Sequence, residues 1–179
     1  MKQLGMVLLA VALGVSAVRP AMAQGSWRYG LSAGALMPIG DYGKQDKMGW
    51  VAGAGATYWL PGTGNMGIRA DVSYSSTSHE VGTGNNNILG GLASFVYALN
   101  PASAPARILL TGGVGYFNLK DTEVSASASK FGFAGGAAVA FKMGKGSTRL
   151  VVGSRYTSVS TDAGTVSFVP LTVGLSFGK

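Results

Sequence analysis

From Val169 to Phe177 every second residue is large and apolar (Val169, Leu171, Val173, Leu175, Phe177), and Pro170, Thr172, Gly174 and Ser176 stand between them. A period of two describes a strand whose two faces meet different surroundings. The same alternation recurs at strand length along the chain, and helical periodicity does not. It predicts eight strands, over residues 27–38, 49–60, 66–77, 87–99, 106–119, 131–142, 148–159 and 166–177.

The connections between these strands are of two kinds. Residues 61–65 (PGTGN), 100–105 (NPASAP) and 144–147 (GKGS) are short and rich in turn formers. Residues 40–47, 78–86, 121–130 and 161–165 are longer or more polar. Tight and open connections alternate strictly, as in an up-and-down antiparallel meander with its tight turns at one end. Outer-membrane barrels have that asymmetry, with short periplasmic turns and longer external loops. Their strands need about 9–11 residues to cross at a tilt, and an even count lets the sheet close so that no edge meets lipid. The predicted fold class is therefore all-β, an eight-stranded antiparallel up-and-down transmembrane β-barrel.

Charged residues set the phase of each strand. Arg69, Asp71 and Ser73 share one face of the third, opposite Ile68, Ala70, Val72 and Tyr74. In the seventh, Val151, Gly153 and Arg155 oppose Leu150, Val152, Ser154 and Tyr156. An arginine facing mid-bilayer lipid costs about 2–4 kcal/mol, so the charged face points inward. Leu89, Ala93, Phe95, Tyr97 and Leu99 then face lipid in the fourth strand, as do Phe131, Phe133, Val139 and Phe141 in the sixth. The facing set Gly132, Ala134, Gly136, Ala138 and Ala140 lines a narrow interior with room for water or a small cavity. Asp71 between Arg69 and Arg155 can neutralise one guanidinium and bond both, so these three are expected to form a luminal polar plug. Aromatics near strand ends (Trp27, Tyr29, Trp50, Tyr58, Trp59, Tyr74, Tyr97, Tyr116, Tyr156) suit interface girdles. Pro170 removes a ladder donor and should mark a bulge or the ladder's edge near the outer rim.

The chain opens with Lys2, an apolar run from Met6 to Val18, and Ala21-Met22-Ala23. That order is the layout of a secretory signal, and the run is shorter than the roughly 20 residues of a spanning helix. Residues 1–23 are expected to be a leader cleaved after Ala23, with Ala21 and Ala23 as its small-residue signature. Residues 24–179 are then the barrel domain. The full chain has 14 basic and 7 acidic residues; Lys2 and Arg19 leave with the leader, so the remainder carries +5. Its basic residues are scattered, which argues against nucleic acid and suits an anionic lipid surface. There is no cysteine, so stability must come from burial and hydrogen bonding.

The sequence resembles the small outer-membrane beta-barrel proteins of Gram-negative bacteria, the OmpA/OmpX-like group. The resemblance is carried by the leader, by YGLSAGALMPIGDYG (Tyr29–Gly43), IRADVSYS (Ile68–Ser75), SRYTSVS (Ser154–Ser160) and FVPLTVGLSF (Phe168–Phe177). It implies a monomer of the cell outer membrane, in contact with outer-membrane lipid and lipopolysaccharide, with no cofactor. It also implies that a terminal aromatic is read by the barrel-assembly machinery. Phe177 matches that assembly signal in its alternation and departs from it in being followed by Gly178 and Lys179.

Catalysis finds little support. The only histidine is His79, next to Glu80 and near Ser76 and Ser78. A barrel of lipid A deacylase type needs a Ser-His-acid set near its outer rim, and sequence neighbours on a loop do not make a triad. His79 is read instead as a solvated loop residue. One histidine, no cysteine and dispersed acids do not suggest a metal site. The residues GTGNMG (Gly62–Gly67) open no helix, so they are no nucleotide loop. The expected role is structural, adhesive or surface-interacting, carried by loops 41–47, 78–86 and 121–130. Two alternatives stand beside it. One is a narrow pore or passage for a small apolar ligand. The other is a soluble lipocalin-like barrel, whose large apolar residues would face inward. Fractionation separates the last from the rest: the membrane barrel should stay with the envelope until detergent is added, and should migrate differently on gels before and after heating.

Overall fold

The computed structural model describes residues 25–81, 84–122, 127–161 and 164–178. The expected cleavage residues Ala21 and Ala23 lie outside these. In chain order the elements are β1 (Ser26–Ile39), α1 (Tyr42–Gln45), β2 (Gly49–Trp59), β3 (Met66–Ser78), β4 (Asn85–Ala98), β5 (Ala106–Asp121), β6 (Ser127–Lys142), β7 (Arg149–Thr161) and β8 (Gly164–Phe177). Each strand pairs antiparallel with the next, and β1 pairs with β8 from Tyr29↔Phe177 to Ile39↔Ser167, so the eight-stranded sheet closes. The alternation located the strands to within a few residues. The largest difference is β6, which begins at Ser127 rather than 131. Its first residues, Ser-Ala-Ser-Lys, are too small or polar to alternate visibly, yet they continue the ladder through Lys120↔Ser127.

The two faces separate as the charges require. Leu171, Val173, Leu175 and Phe177 are exposed on the outside of β8, with Phe95 on β4 and Phe131, Phe133 and Phe141 on β6. A lipocalin arrangement would place such residues in the lumen, and they are not there. Aromatic pairs sit near both rims. Trp27 packs on Tyr29 and Tyr58 near the tight turns. At the other end Trp50 meets Tyr74, and Tyr116 meets Phe131. Trp59 departs from this set: it points inward, buried beneath the Arg107 guanidinium 4.1 Å from its ring centroid. It follows outward Tyr58 by one residue, and a period of two puts it on the opposite face.

The inward face is less bare than the last strand suggests. Leu36, Val51, Ile88, Leu92, Phe117 and Phe168 form an apolar cluster inside the half of the barrel nearer the long loops. The α1 segment folds inward there, and Tyr42 joins the cluster as its lid. Glycines on neighbouring strands make the room. A Cβ on Gly90 would lie 2.8 Å from the Phe117 ring, and one on Gly132 would lie 3.1 Å from it. Phe168 stands edge-on to Phe117, with centroids 6.3 Å apart.

Pro170 does not mark a bulge, and it is not at the rim. It pairs with Leu36 in mid-strand. The β7–β8 ladder is interrupted there: Ser154↔Leu171 is followed by Thr157↔Phe168, and Arg155 and Tyr156 are unpaired across it. Register is the same on both sides of the gap, so no residue is inserted. The ring simply lacks the N–H that the ladder would use.

Gly90 and Gly91 test this arrangement as a pair. Gly90→Ala intrudes on Phe117 and should cost about 1–3 kcal/mol, the usual range for overpacking. Gly91 faces outward with nothing within 4 Å of its would-be Cβ, so Gly91→Ala should be near neutral. Unfolding midpoints in urea, followed by heat-modifiable migration, measure the difference.

Candidate functional site

Three polar groups occupy the barrel at three levels. The middle one is the cluster read from the charges. Arg69 and Asp71 sit two apart on β3 and so share its inward face. Arg69 Nε donates to both Asp71 oxygens at 2.9 Å and its Nη2 donates to Oδ1 at 2.7 Å. Arg155, on the far side of the barrel in β7, reaches Asp71 Oδ2 at 3.5 Å. The structure thus brings all three residues together around a carboxylate only 7% exposed. A glycine provides their space: a Cβ on Gly55 would stand 2.4 Å from Asp71 Oδ1. Burial makes the pairing obligatory, because an isolated ion in such a place costs several kcal/mol.

The second group closes the end bearing the long loops. Asp46 follows α1 and is 3% exposed. Its Oδ2 accepts from the Thr77 hydroxyl at 2.5 Å and from Asn86 Nδ2 at 2.9 Å. With the Thr77 proton so used, Tyr42 donates its own to Thr77 Oγ1, at 2.7 Å. Burial pushes the Tyr42 phenol above its ordinary range, which keeps it a donor at any physiological pH. Asp46 Oδ1 has no hydrogen-bond partner among the described residues, and His79 Nε2 lies 3.7 Å from it and 3.9 Å from Asp121 Oδ2.

His79 is therefore not a solvated loop residue. A backbone bridge to Asp46 draws it over the mouth, where its side chain is 14% exposed. Two acids remote in sequence, Asp46 and Asp121, stand beside it. Ser78 turns to Asn85 Oδ1 at 3.0 Å, and Glu80 faces Lys47 at 3.9 Å. The nearby hydroxyl of Thr77 is committed to Asp46. Sequence reading missed Asp46 and Tyr42 because nothing local distinguishes a loop acid or tyrosine that folds inward. The signal for their inward turn is the apolar cluster that α1 covers, and it becomes visible only once the strands are paired.

The third group lies near the tight turns and consists of arginines. Arg28 Nε donates to Ser176 Oγ and its Nη2 to the carbonyls of Ser147 and Ser176. Arg107 donates to the carbonyls of Asn100 and Gly64. Arg149 donates to those of Ala102, Ala104 and Ala140. Each arginine thus ties strand to turn. Among the described residues no group of three or more His, Cys, Asp or Glu could hold a metal ion. Phe177 is on the outward face at the end of β8, paired with Tyr29.

Known proteins share this architecture. Neisserial surface protein A, NspA, superposes with a TM-score of 0.68 at 14% identity, over 87% of this chain and 99% of that one. Ail, the attachment invasion locus protein of Yersinia pestis, gives 0.50 at 18%, over 86% and 97%. The outer membrane enzyme PagL gives 0.52 at 17%, over 84% and 98%. At such identities the likeness is one of fold. No curated protein matches by sequence. The profile of the family described as outer membrane protein beta-barrel domain matches residues 7–177. With its closed eight-stranded sheet, apolar exterior and ion-paired interior, this chain belongs to that outer-membrane β-barrel family.

Proposed function

We propose that this chain is a non-catalytic outer-membrane barrel with a closed interior, working through its external loops as a structural or surface-interaction protein. The observation that carries this reading is the filling of the lumen. An apolar cluster lies above a bonded Arg69–Asp71–Arg155 centre, leaving a void of only about 30 Å³ between Leu36, Phe117, Phe168 and Arg155. That is room for a water or two, not for a conducting file. The polar cluster acts as a plug that fixes β3 against β7. Loops 41–47, 78–86 and 121–130 then carry partner specificity, in keeping with the name of Ail as an attachment protein.

PagL is an enzyme of this fold, so the fold alone decides nothing about catalysis. What speaks against it here is that His79 lies beside the carboxylates of Asp46 and Asp121, while the hydroxyls of Thr77 and Ser78 next to it in the chain bond Asp46 and Asn85. A hydrolase needs a nucleophile within hydrogen-bond reach of its base. Phe177, at the end of the closing strand, serves the assembly machinery, and the tyrosine and tryptophan girdles meet lipid and lipopolysaccharide. Residues 1–23 are the leader removed at Ala21-Met22-Ala23. The barrel works as a monomer.

Refolded protein in planar bilayers should show no stable channel events. Replacing Arg69 and Arg155 together by glutamine leaves Asp71 buried and unpaired. That should lower stability by about 3–5 kcal/mol while conductance stays silent; opening of a steady channel instead would identify the cluster as a gate. Exchange of the three loops for short turns should abolish binding of whole cells to a host surface while heat-modifiable migration persists. Turnover of a chromogenic acyl ester that His79→Asn removes would overturn the non-catalytic reading.

A further inference from the structure

Below the ion-paired centre the interior opens into a cavity of about 330 Å³ that extends to the tight turns at Pro61–Gly64 and Ala102. That volume is in the range of small-molecule sites. Arg28, Arg69, Arg107, Arg149 and Arg155 line it, and Asp71 is its sole carboxylate. Asp71 is already occupied by Arg69 and Arg155. The other acidic residues, Asp41, Asp46, Glu80, Asp121, Glu123 and Asp162, fall in sequence within or beside the long connections, at the opposite end. Arg28, Arg107 and Arg149 consequently have no carboxylate partner among the described residues, and they are close enough to repel one another.

Turn carbonyls satisfy part of each guanidinium and leave a remainder. Nη1 of Arg28, Nη1 of Arg107 and Nε of Arg149 donate to no acceptor among the described residues. A second, independent sign lies in Trp59. Its side chain lines the cavity at 8% exposure, and its buried indole Nε1 has no hydrogen-bond partner among the described residues. Guanidinium and indole are donors with no acceptor capacity. A partly buried cavity with a surplus of positive charge and unspent donors lacks one thing, a multivalent acceptor. The planar forks of arginine match the oxygens of phosphate two at a time.

We propose that this cavity is a binding site for a small multivalent oxyanion of the phosphate class, entered from the tight-turn, periplasmic end. A free phosphate compound and the headgroup of an inner-leaflet phospholipid present the same chemistry. Arg28 and Arg149 hold the anion from the β1 and β7 sides. Arg107, stacked on Trp59, faces it from β5, and Trp59 Nε1 supplies a neutral donor.

Trp59 also reports on its own site. In a Trp27→Phe, Trp50→Phe background it is the sole tryptophan. Pyrophosphate added to the refolded barrel in neutral detergent should change its emission saturably, at constant ionic strength set with chloride. Arg28→Gln and Arg149→Gln, each checked for heat-modifiable migration, should weaken the response about tenfold, and Arg149→Lys by less. Nanodiscs of phosphatidylglycerol compared with phosphatidylcholine form the second arm. A response to pyrophosphate identifies a free anion, and a response confined to phosphatidylglycerol identifies the headgroup. Thermal protection of the unsubstituted protein by pyrophosphate beyond that of chloride gives a reading that needs no variant. No emission change and no protection in either arm, or a response unaltered in the folded arginine variants, would overturn the proposal and leave the arginines as clamps on the turns.

Discussion

Backbone hydrogen bonding in hydrocarbon is the constraint behind every other feature. A peptide group exposed to lipid without a partner costs several kcal/mol, and a strand has no partners of its own. The pairing of β1 with β8 removes both edges at once. Once the sheet is closed, each residue faces either acyl chains or a narrow lumen, and the composition of both faces follows. The one ladder interruption among the described residues, opposite Pro170, lies where the ring withholds its N–H, and its neighbours in β1 keep the cylinder shut.

Closure also creates a problem of volume. Eight strands enclose just enough space for side chains, so a large residue in the lumen must be matched by a small one across from it. The many glycines answer that requirement. Gly55 admits the Asp71 carboxylate, and Gly90 admits the ring of Phe117. Filling is uneven along the axis: apolar and tight toward the long loops, ionic in the middle, and open among arginines toward the turns. Acidic residues gather at one end and unpaired arginines at the other. The acids at the long-loop end lie among lysines, as in Lys44–Asp41 and Lys47–Glu80, whereas Arg28, Arg107 and Arg149 at the other end have no carboxylate partner among the described residues.

Much of the fold was legible because a period of two survives whatever packs against it. Eight strands, their order and the outward set Leu171, Val173, Leu175 and Phe177 follow from alternation and from the spacing of turn formers. So does the meeting of Arg69 with Asp71, since residues two apart share a face. Less was legible at the ends. Trp59 looked like a girdle residue until its face was counted against Tyr58. His79 looked solvated because its carboxylate partners, Asp46 and Asp121, are 33 and 42 positions away in the chain. Pro170 read as a bulge or the ladder's edge because a missing donor predicts a fault in the ladder without saying what kind.

Local periodicity and the high cost of a charge in lipid by themselves favoured a closed transmembrane barrel with its arginines inside over a soluble one, and the tertiary structure decided it by placing Leu171, Val173, Leu175 and Phe177 on the outside. Both are properties of single strands and need no knowledge of what lies across the lumen. Which residues meet across that lumen was decided only by the tertiary structure. Strand register and barrel closure set Phe117 against Phe168, Arg155 against Asp71, and Arg107 over Trp59. Those contacts join segments tens of residues apart, and no pattern within one strand encodes the partner it will find.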